Sequence, residues 1–343
     1  MQKVLSEGAL LDKNGNLCEC GYATEAVKRY DRSAIKAGKT RIKEWDYYLI
    51  SNGKQAVCLT IDDNSYMSLA SVSFLDFEKR SYITKSRMHA MSMGKVGLPC
   101  DYRSGSVKYE DNIISGSFSA ENGKRKLAFE FKNFDKDKDF KCEFDLFDEP
   151  KDKMVIATPF DKRAHFYYNI KVNCMTADGY CKIGDEKYSF GKENSLATLD
   201  WGRGVWIYSN EWYWGSLQCY LDGVKFGFNI GYGFGNDSAA TENMLFYDGV
   251  AHKLDKVKFN IPPPKNKNGY DYLAPWTFTD NEGRFNLSFS PLIDRFDYAN
   301  ALIISSNQHQ VFGVFSGTVT LDDGTVLRID NAIGFAEHVR NKW

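Results

Sequence analysis

An all-β protein, folded as two antiparallel barrels or sandwiches packed together, is what this chain of 343 residues predicts. Three observations carry that prediction. Asn-Gly or Asp-Gly dipeptides stand at Asn52-Gly53, Asn122-Gly123, Asp178-Gly179, Asp222-Gly223, Asp248-Gly249 and Asp323-Gly324, each flanked by strand-like sequence. Such pairs readily take the positive φ angles that tight hairpin turns require. Aromatic residues make up 15% of the chain within a hydrophobic fraction of 43%, and Tyr, Phe and Trp favour strands. Long amphipathic helices that could serve as crossovers are lacking, which argues against a parallel α/β sheet.

Residues 1–40 read as an irregular lead-in with a weakly helical patch around Ala23–Ala37. From Arg41 the run RIKEWDYYLI meets Asn52-Gly53, then KQAVCLTI, then an aromatic and β-branched stretch from Tyr66 to Phe77. The runs KLAFEFKNF, FKCEFDLF, MVIATPF and AHFYYNIKVNCM continue the same alternation, so the charged DEPKDK at 148–153 is not a boundary. The break is placed near residue 170. Residues 1–170 then form an N-terminal barrel, and 171–343 form a second barrel dense in Gly and Trp. The Pro262-Pro263-Pro264 run and the polar tail to Gly269 suit a loop between strands.

Charge and composition narrow the partners. Lys and Arg number 44 against 45 Asp and Glu, with no basic block, so nucleic acid is not an expected partner. The opening residues carry no secretory apolar run, and no later run reaches a membrane span, so a cytoplasmic location is expected. Eight cysteines would then stay as thiols. Cys18 and Cys20 lack a second nearby pair, Cys174 and Cys181 lack a close histidine, and the five histidines at 89, 165, 252, 309 and 338 are scattered. Neither a metal site nor a cofactor is expected on those spacings. The GYGFG run at 231–235 lacks the strand–turn–helix setting of a dinucleotide loop and suits a bend in a curved sheet.

The stretch LDWGRGVW at 199–206 concentrates chemistry. Asp200, Arg203, Trp201 and Trp206 lie around Gly202 and Gly204, and the expected geometry is a tight corner pinned by an Asp200–Arg203 pair. Trp212 and Trp214 follow at period-2 spacing, which places both rings on one face of a strand. Glu242-Asn243 precedes an apolar strand, and Glu337 stands beside His338 near the C-terminus. Each has a purely structural alternative: a pinned corner, rings sealing the space between two barrels, a terminal strand closing a barrel.

The ordered motifs RIKEWDYY, LDWGRGVW, WYWGS, GFNIGYGFGNDSAATEN, APWTF, LSFSPLIDR, VFGVFSGTV and GFAEHVRNKW resemble the bacterial family filed as domain of unknown function 2804. That family is similar, more distantly, to two-barrel lipocalin-like proteins that include carotenoid 1,2-hydratase and relatives of tocopherol cyclase. The resemblance implies tandem lipocalin-like barrels with a ligand cavity inside or between them. One function that follows is a cofactor-independent acid–base enzyme (hydratase, lyase, isomerase or cyclase) acting on an apolar or amphipathic substrate. Its logic is a buried carboxylic acid among aromatic faces that stabilise a cation. Asp200, Glu242 and Glu337 are the candidate catalytic residues. Trp201, Arg203, Trp206, Trp212, Trp214, Asn243, Trp276 and Arg295 are the candidate ligand-binding residues. The alternatives are a non-catalytic lipid or isoprenoid carrier, and a carbohydrate-directed enzyme or binding module.

Overall fold

The computed structural model describes residues 2–264, 269–301 and 304–342. Within them the chain is all-β: two curled antiparallel sheets pack together, consistent with two lipocalin-like barrels, and Gly8–Ala9 pairs in parallel with Lys28–Arg29 as a small separate ribbon. In the first sheet the hydrogen-bonded order runs Ser81–Ala90, Met67–Asp76, Gln55–Asp63, Ile42–Ser51, Leu196–Val205, Phe166–Ile183, Lys138–Phe147, Lys124–Asp135, Ile114–Glu121, Gly105–Glu110. Met154–Pro159 and Glu186–Phe190 also pair with the long strand Phe166–Ile183. At the ends of the order, Arg87 bonds Asp111 (3.0 Å) and Tyr109 donates to the Arg87 carbonyl (3.3 Å), so the sheet curls back on itself.

The second sheet runs Val250–Lys253, Met244–Tyr247, Val224–Tyr232, Ser209–Leu221, Val326–Lys342, Ile304–Thr320, Phe285–Ala301, Trp276–Asp280, Val257–Asn260. The expected hairpin turns appear at Asn122-Gly123, Asp222-Gly223 and Asp248-Gly249, where both residues of each pair have positive φ. Lys265–Asn268 of the proline-led tract, together with Leu302, Ile303 and Trp343, lie outside the described residues.

Several expectations change. Asp178-Gly179 is not a turn but lies within Phe166–Ile183, paired with Asp145 and Phe144. The chain reverses at Gly184 instead, whose φ of +58° suits glycine. In the patch Ala23–Ala37 the helical part is a three-residue 3₁₀ turn, Arg32–Ala34, after a short strand at Lys28–Arg29, because no apolar stripe gives a longer helix a face to bury. The change of sheet falls at 206–208, whereas residue 170 sits inside a strand of the first sheet. The DWGRG motif therefore belongs to the first sheet, where Leu196–Val205 pairs on one side with Phe166–Ile183 and on the other with Ile42–Ser51.

Alternation along the central strands divides the molecule into three layers. Tyr168, Ile170, Leu199 and Trp201 point into the lumen of the first sheet, among Tyr48, Leu59, Phe118 and Phe129. Leu217, Phe228, Phe289, Phe315 and Ala336 fill the lumen of the second. Their neighbours one residue along face the opposite sheet. That middle layer has two apolar clusters, one around Tyr47, Phe77, Trp214, Phe312 and Phe335, the other around Met154, Tyr167, Trp206, Met244 and Phe246. Among the described residues no helix is long and apolar enough to cross a membrane.

Candidate functional site

Between the two apolar clusters the sheets meet through polar side chains. Asn169, Lys171 and Asn173 project from one face of Phe166–Ile183, and Thr198 and Asp200 from the adjacent strand, all of them buried. The second sheet answers with Trp212, Trp214, Ser216, Asn229, Gln310 and Glu337. A β-bulge between Val172 and Met175, with Cys174 at φ +63°, lets Asn173 reach across to Ser216 Oγ (2.9 Å).

Lys171 is the hub. Its Nζ lies 3.5 Å from Asp200 Oδ2, 3.9 Å from Glu242 Oε2 and 3.5 Å from the centroid of the Trp214 ring. Asn169 Nδ2 donates to Asp200 Oδ1 (2.5 Å) and to the Trp201 carbonyl (3.1 Å). Trp214 Nε1 donates to Asn229 Oδ1 (2.7 Å), and Asn229 Nδ2 donates to Glu242 Oε2 (3.1 Å). A buried cation thus has two carboxylates and an indole face around it, and each carboxylate has a fixed amide donor.

Glu337 sits at the edge of this group. Trp212 Nε1 donates to its Oε1 (2.9 Å), and Gln310 Nε2 to its Oε2 (3.1 Å). Gln310 is itself oriented by Arg295 Nε (3.0 Å), whose Nη1 reaches Ser73 Oγ of the first sheet (2.8 Å). Burial pushes the Glu337 carboxyl up to about 7; the Trp212 bond and the positive charges of Lys171 and Arg295 oppose the rise, and Asp200 adds to it. Burial also raises the Glu242 carboxyl, with Lys171 and Asn229 opposing. Around these carboxyls stand Tyr167, Trp45, Trp206, Trp212 and Phe234. Trp45 stacks on Tyr167 (6.1 Å), and Phe234 meets Tyr167, Trp206 and Trp212 edge to face at 4.7–5.2 Å.

The sequence candidates divide in an instructive way. Asp200, Glu242 and Glu337 come together from three separate regions, and Trp206, Trp212, Trp214 and Arg295 join them. Trp201 and Arg203 point the other way, into the first lumen. Residues three apart on a strand face opposite sides, so Asp200 and Arg203 do not form the expected pair. Arg203 instead bonds Asp46 (3.0 Å) and the carbonyls of Trp45, Gly202 and Pro99, and stacks on Trp201 at 3.9 Å. Asn243 ties backbone together, accepting from Gly231 N and donating to Asp255 O, each at 2.7 Å. Trp276 is buried in the second lumen and donates to the Tyr272 carbonyl (3.2 Å).

Nor is the Gly202–Gly204 segment a corner. All ten residues of Leu196–Val205 are buried, and the glycines serve close approach. A Cβ on Gly202 would lie 1.9 Å from the Trp45 ring, and one on Gly204 2.5 Å from the Phe166 carbonyl oxygen. Gly202→Ala is therefore expected to cost about 1–3 kcal/mol by overpacking. Trp45→Phe, by shrinking the ring, should recover part of that loss in a double variant. Urea melts showing full stability for Gly202→Ala alone would contradict this packing.

Residues 1–343 match the family model described as "Domain of unknown function (DUF2804)". The chain belongs to that family. No curated protein matches this DUF2804 chain. Among solved structures it is similar to a protein of Nitrosomonas europaea described as an AttH, at 14% identity and TM-score 0.57, covering 92% of this chain and 98% of that one. It is also similar to kievitone hydratase from Nectria haematococca, at 11% identity and TM-score 0.51, covering 88% of each chain. At such identities the likeness is one of fold.

Lys171, Asn169, Asn229, Gln310, Tyr167 and Phe234 were not among the sequence candidates. A signal existed for two of them: Asn169, Lys171 and Asn173 recur at period 2 inside an otherwise apolar run, a polar stripe on a strand buried on both faces. Among the described residues no cluster of three or more His, Cys, Asp or Glu could hold a metal ion.

Proposed function

We propose that this chain is an acid–base enzyme acting on an apolar or amphipathic substrate in the inter-sheet layer, with Glu337 as its proton donor. The observation that carries this reading is a carboxyl raised to about 7 by burial, held by an indole N–H and an amide, within an aromatic wall. An acid so poised is protonated in part at neutral pH, where an ordinary glutamate has lost its proton. Protonation of an alkene carbon by Glu337 would leave a carbocation facing Trp212 and Trp206. Water adding to that cation returns a proton to the carboxylate, and loss of a neighbouring proton gives isomerisation instead. Lys171 sits against Asp200 and Glu242, and Glu337 stands apart from that ion pair with an indole N–H and an amide as its donors.

Phe234 occupies the space a substrate would need. It lies between Gly233 (φ +92°) and Gly235 (φ +78°), and its ring fills the gap among Phe160, Tyr167, Trp206 and Trp212. Outward rotation of this one ring would open the layer at the partly exposed Trp212. That one of the structures of similar fold is named a hydratase agrees in kind with addition of water, although fold alone does not transfer an activity.

The test uses geraniol, linalool and oleic acid incubated with the protein in deuterium oxide and analysed by mass spectrometry. Carbon-bound deuterium should enter at least one of them, and Glu337→Gln should lower the rate about a hundredfold or more. Phe234→Ala should retain exchange. Incorporation that persists in Glu337→Gln removes Glu337 as the donor. Tight binding with no exchange by the wild type replaces the enzyme with a carrier.

A further inference from the structure

The outer end of the second lumen holds a polar relay separate from the inter-sheet layer. His309 and His338 are direct cross-strand partners, as are Glu211 and Arg340, and Tyr213 pairs with His338 on its other side. His338 Nε2 lies 2.7 Å from Glu211 Oε1, which also accepts from Arg340 Nε (2.9 Å). His338 Nδ1 lies 2.7 Å from the Tyr272 hydroxyl. The ring of Tyr272 stacks on His309 at 3.8 Å, and His309 Nδ1 lies 2.7 Å from Asp294 Oδ2. One phenol is thus held between two carboxylate–imidazole pairs.

Hydrogen-bond chemistry fixes the direction of the relay. Burial opposes ionisation of Glu211, but the bonds from His338 and Arg340 outweigh it and hold the carboxyl below its ordinary value. An ionised Glu211 can only accept, so Nε2 of His338 donates to it, and Nδ1 accepts the Tyr272 proton. Burial keeps the imidazole below its ordinary value, with Glu211 opposing, so its neutral form is available as an acceptor. The order carboxylate, imidazole, hydroxyl is that of an activated hydroxyl group. Beside it is an open apolar shelf: Phe296 (46% exposed) lies 4.5 Å from His309, and Tyr298 (56% exposed) stacks parallel to Phe296.

We propose that this end of the second sheet is a second ligand site, which takes a planar conjugated molecule bearing an ionisable hydroxyl. The ligand lies on Phe296 and Tyr298 and gives its hydroxyl proton to Tyr272 Oη, while Tyr272 passes its own proton to His338 Nδ1. Only O–H and N–H bonds form and break: the ligand becomes an oxyanion that accepts from Tyr272, and His338 becomes an imidazolium against Glu211. Tyr272 touches the ligand, whereas His338 and Glu211 are positioning residues. The charged and titratable groups facing the relay are Glu211, Arg340, His309, Asp294, Tyr213 and Tyr270. This site stands independently of the activity proposed for Glu337.

The probe is 4-nitrophenol, whose phenolate absorbs in the visible, titrated with the 343-residue chain across pH. Bound 4-nitrophenol should ionise at lower pH than the free molecule. Tyr272→Phe should abolish that displacement and weaken binding about tenfold. His338→Gln should abolish the displacement too, and Phe296→Ala, at an exposed position, should weaken binding while preserving it. Circular dichroism establishes that each variant is folded. The proposal is overturned if the wild type leaves the ionisation of 4-nitrophenol unchanged, or if the displacement survives Tyr272→Phe. It is equally overturned if Glu337→Gln alone removes the displacement, which would place the probe in the inter-sheet layer.

Discussion

Lys171→Met is expected to destabilise the protein by about 3–5 kcal/mol near neutral pH, the range for removing one partner of a buried ion pair. Methionine fills most of the space of the lysine stem, so the loss is not one of volume. It arises because Asp200 and Glu242, 3.5 and 3.9 Å from Nζ, then lie between two sheets without the ion-pair partner they share. The contact with the Trp214 ring at 3.5 Å is lost as well. Two controls separate charge from packing. The double variant Lys171→Met, Asp200→Asn should recover a large part of the loss, since Asn keeps shape and removes the orphaned charge. The cost should also shrink in acid, where the carboxyls are protonated. Urea titrations at both pH values make the measurement. A cost equal in acid and at neutrality would show that Lys171 acts only by filling space.

Glu337→Gln is expected to do the opposite and raise stability by about 2 kcal/mol at about pH 8. The sign follows from the direction of the shift. The carboxyl is raised from 4.5 to about 7 in the folded protein. Below 4.5 it is protonated folded and unfolded alike, and burial carries no ionisation penalty. Between 4.5 and 7 the folded state binds more protons than the unfolded state, so stability falls as pH rises. Above about 7 the penalty is complete. Glutamine never ionises, so the advantage of the variant should be absent in acid, grow across that window and level off above it. Part of the gain is given back because the Gln310 amide loses its acceptor at Oε2. Glu242 and Asp62 are also raised by burial, and comparing variant with wild type at each pH removes their contribution. A stability difference that does not change with pH would contradict a raised Glu337. Gain of stability together with loss of deuterium exchange would be the signature of a site held at a cost to the fold.

The all-β class was legible in the sequence because its determinants are local. Asn122-Gly123, Asp222-Gly223 and Asp248-Gly249 take positive φ at both residues where they join two strands, and at Asn52-Gly53 and Asp323-Gly324 the glycine does. The pairing of Trp212 and Trp214 on one face is likewise set by strand periodicity, and both rings do reach the inter-sheet layer. Asp178-Gly179 shows where local signals stop, since the same dipeptide is extended when neighbouring strands offer it a ladder on both sides. Adjacency in sequence misled at Asp200 and Arg203, which the strand sends to opposite faces.

What only the tertiary structure decided is which chemistry shares a space. Glu337, Glu242 and Asp200 are far apart in the chain, and nothing local links them. The meeting of Asp200 and Glu242 around Lys171, with Glu337 at the edge of the group, depends on the packing of two sheets, and so does the elevated pKa of Glu337, because burial is a property of the neighbours and not of the residue. The glycines of DWGRG make the same point. Their sequence pattern suits a turn, but the Trp45 ring and the Phe166 carbonyl take the places where side chains would stand. That close packing makes them part of a fully buried strand.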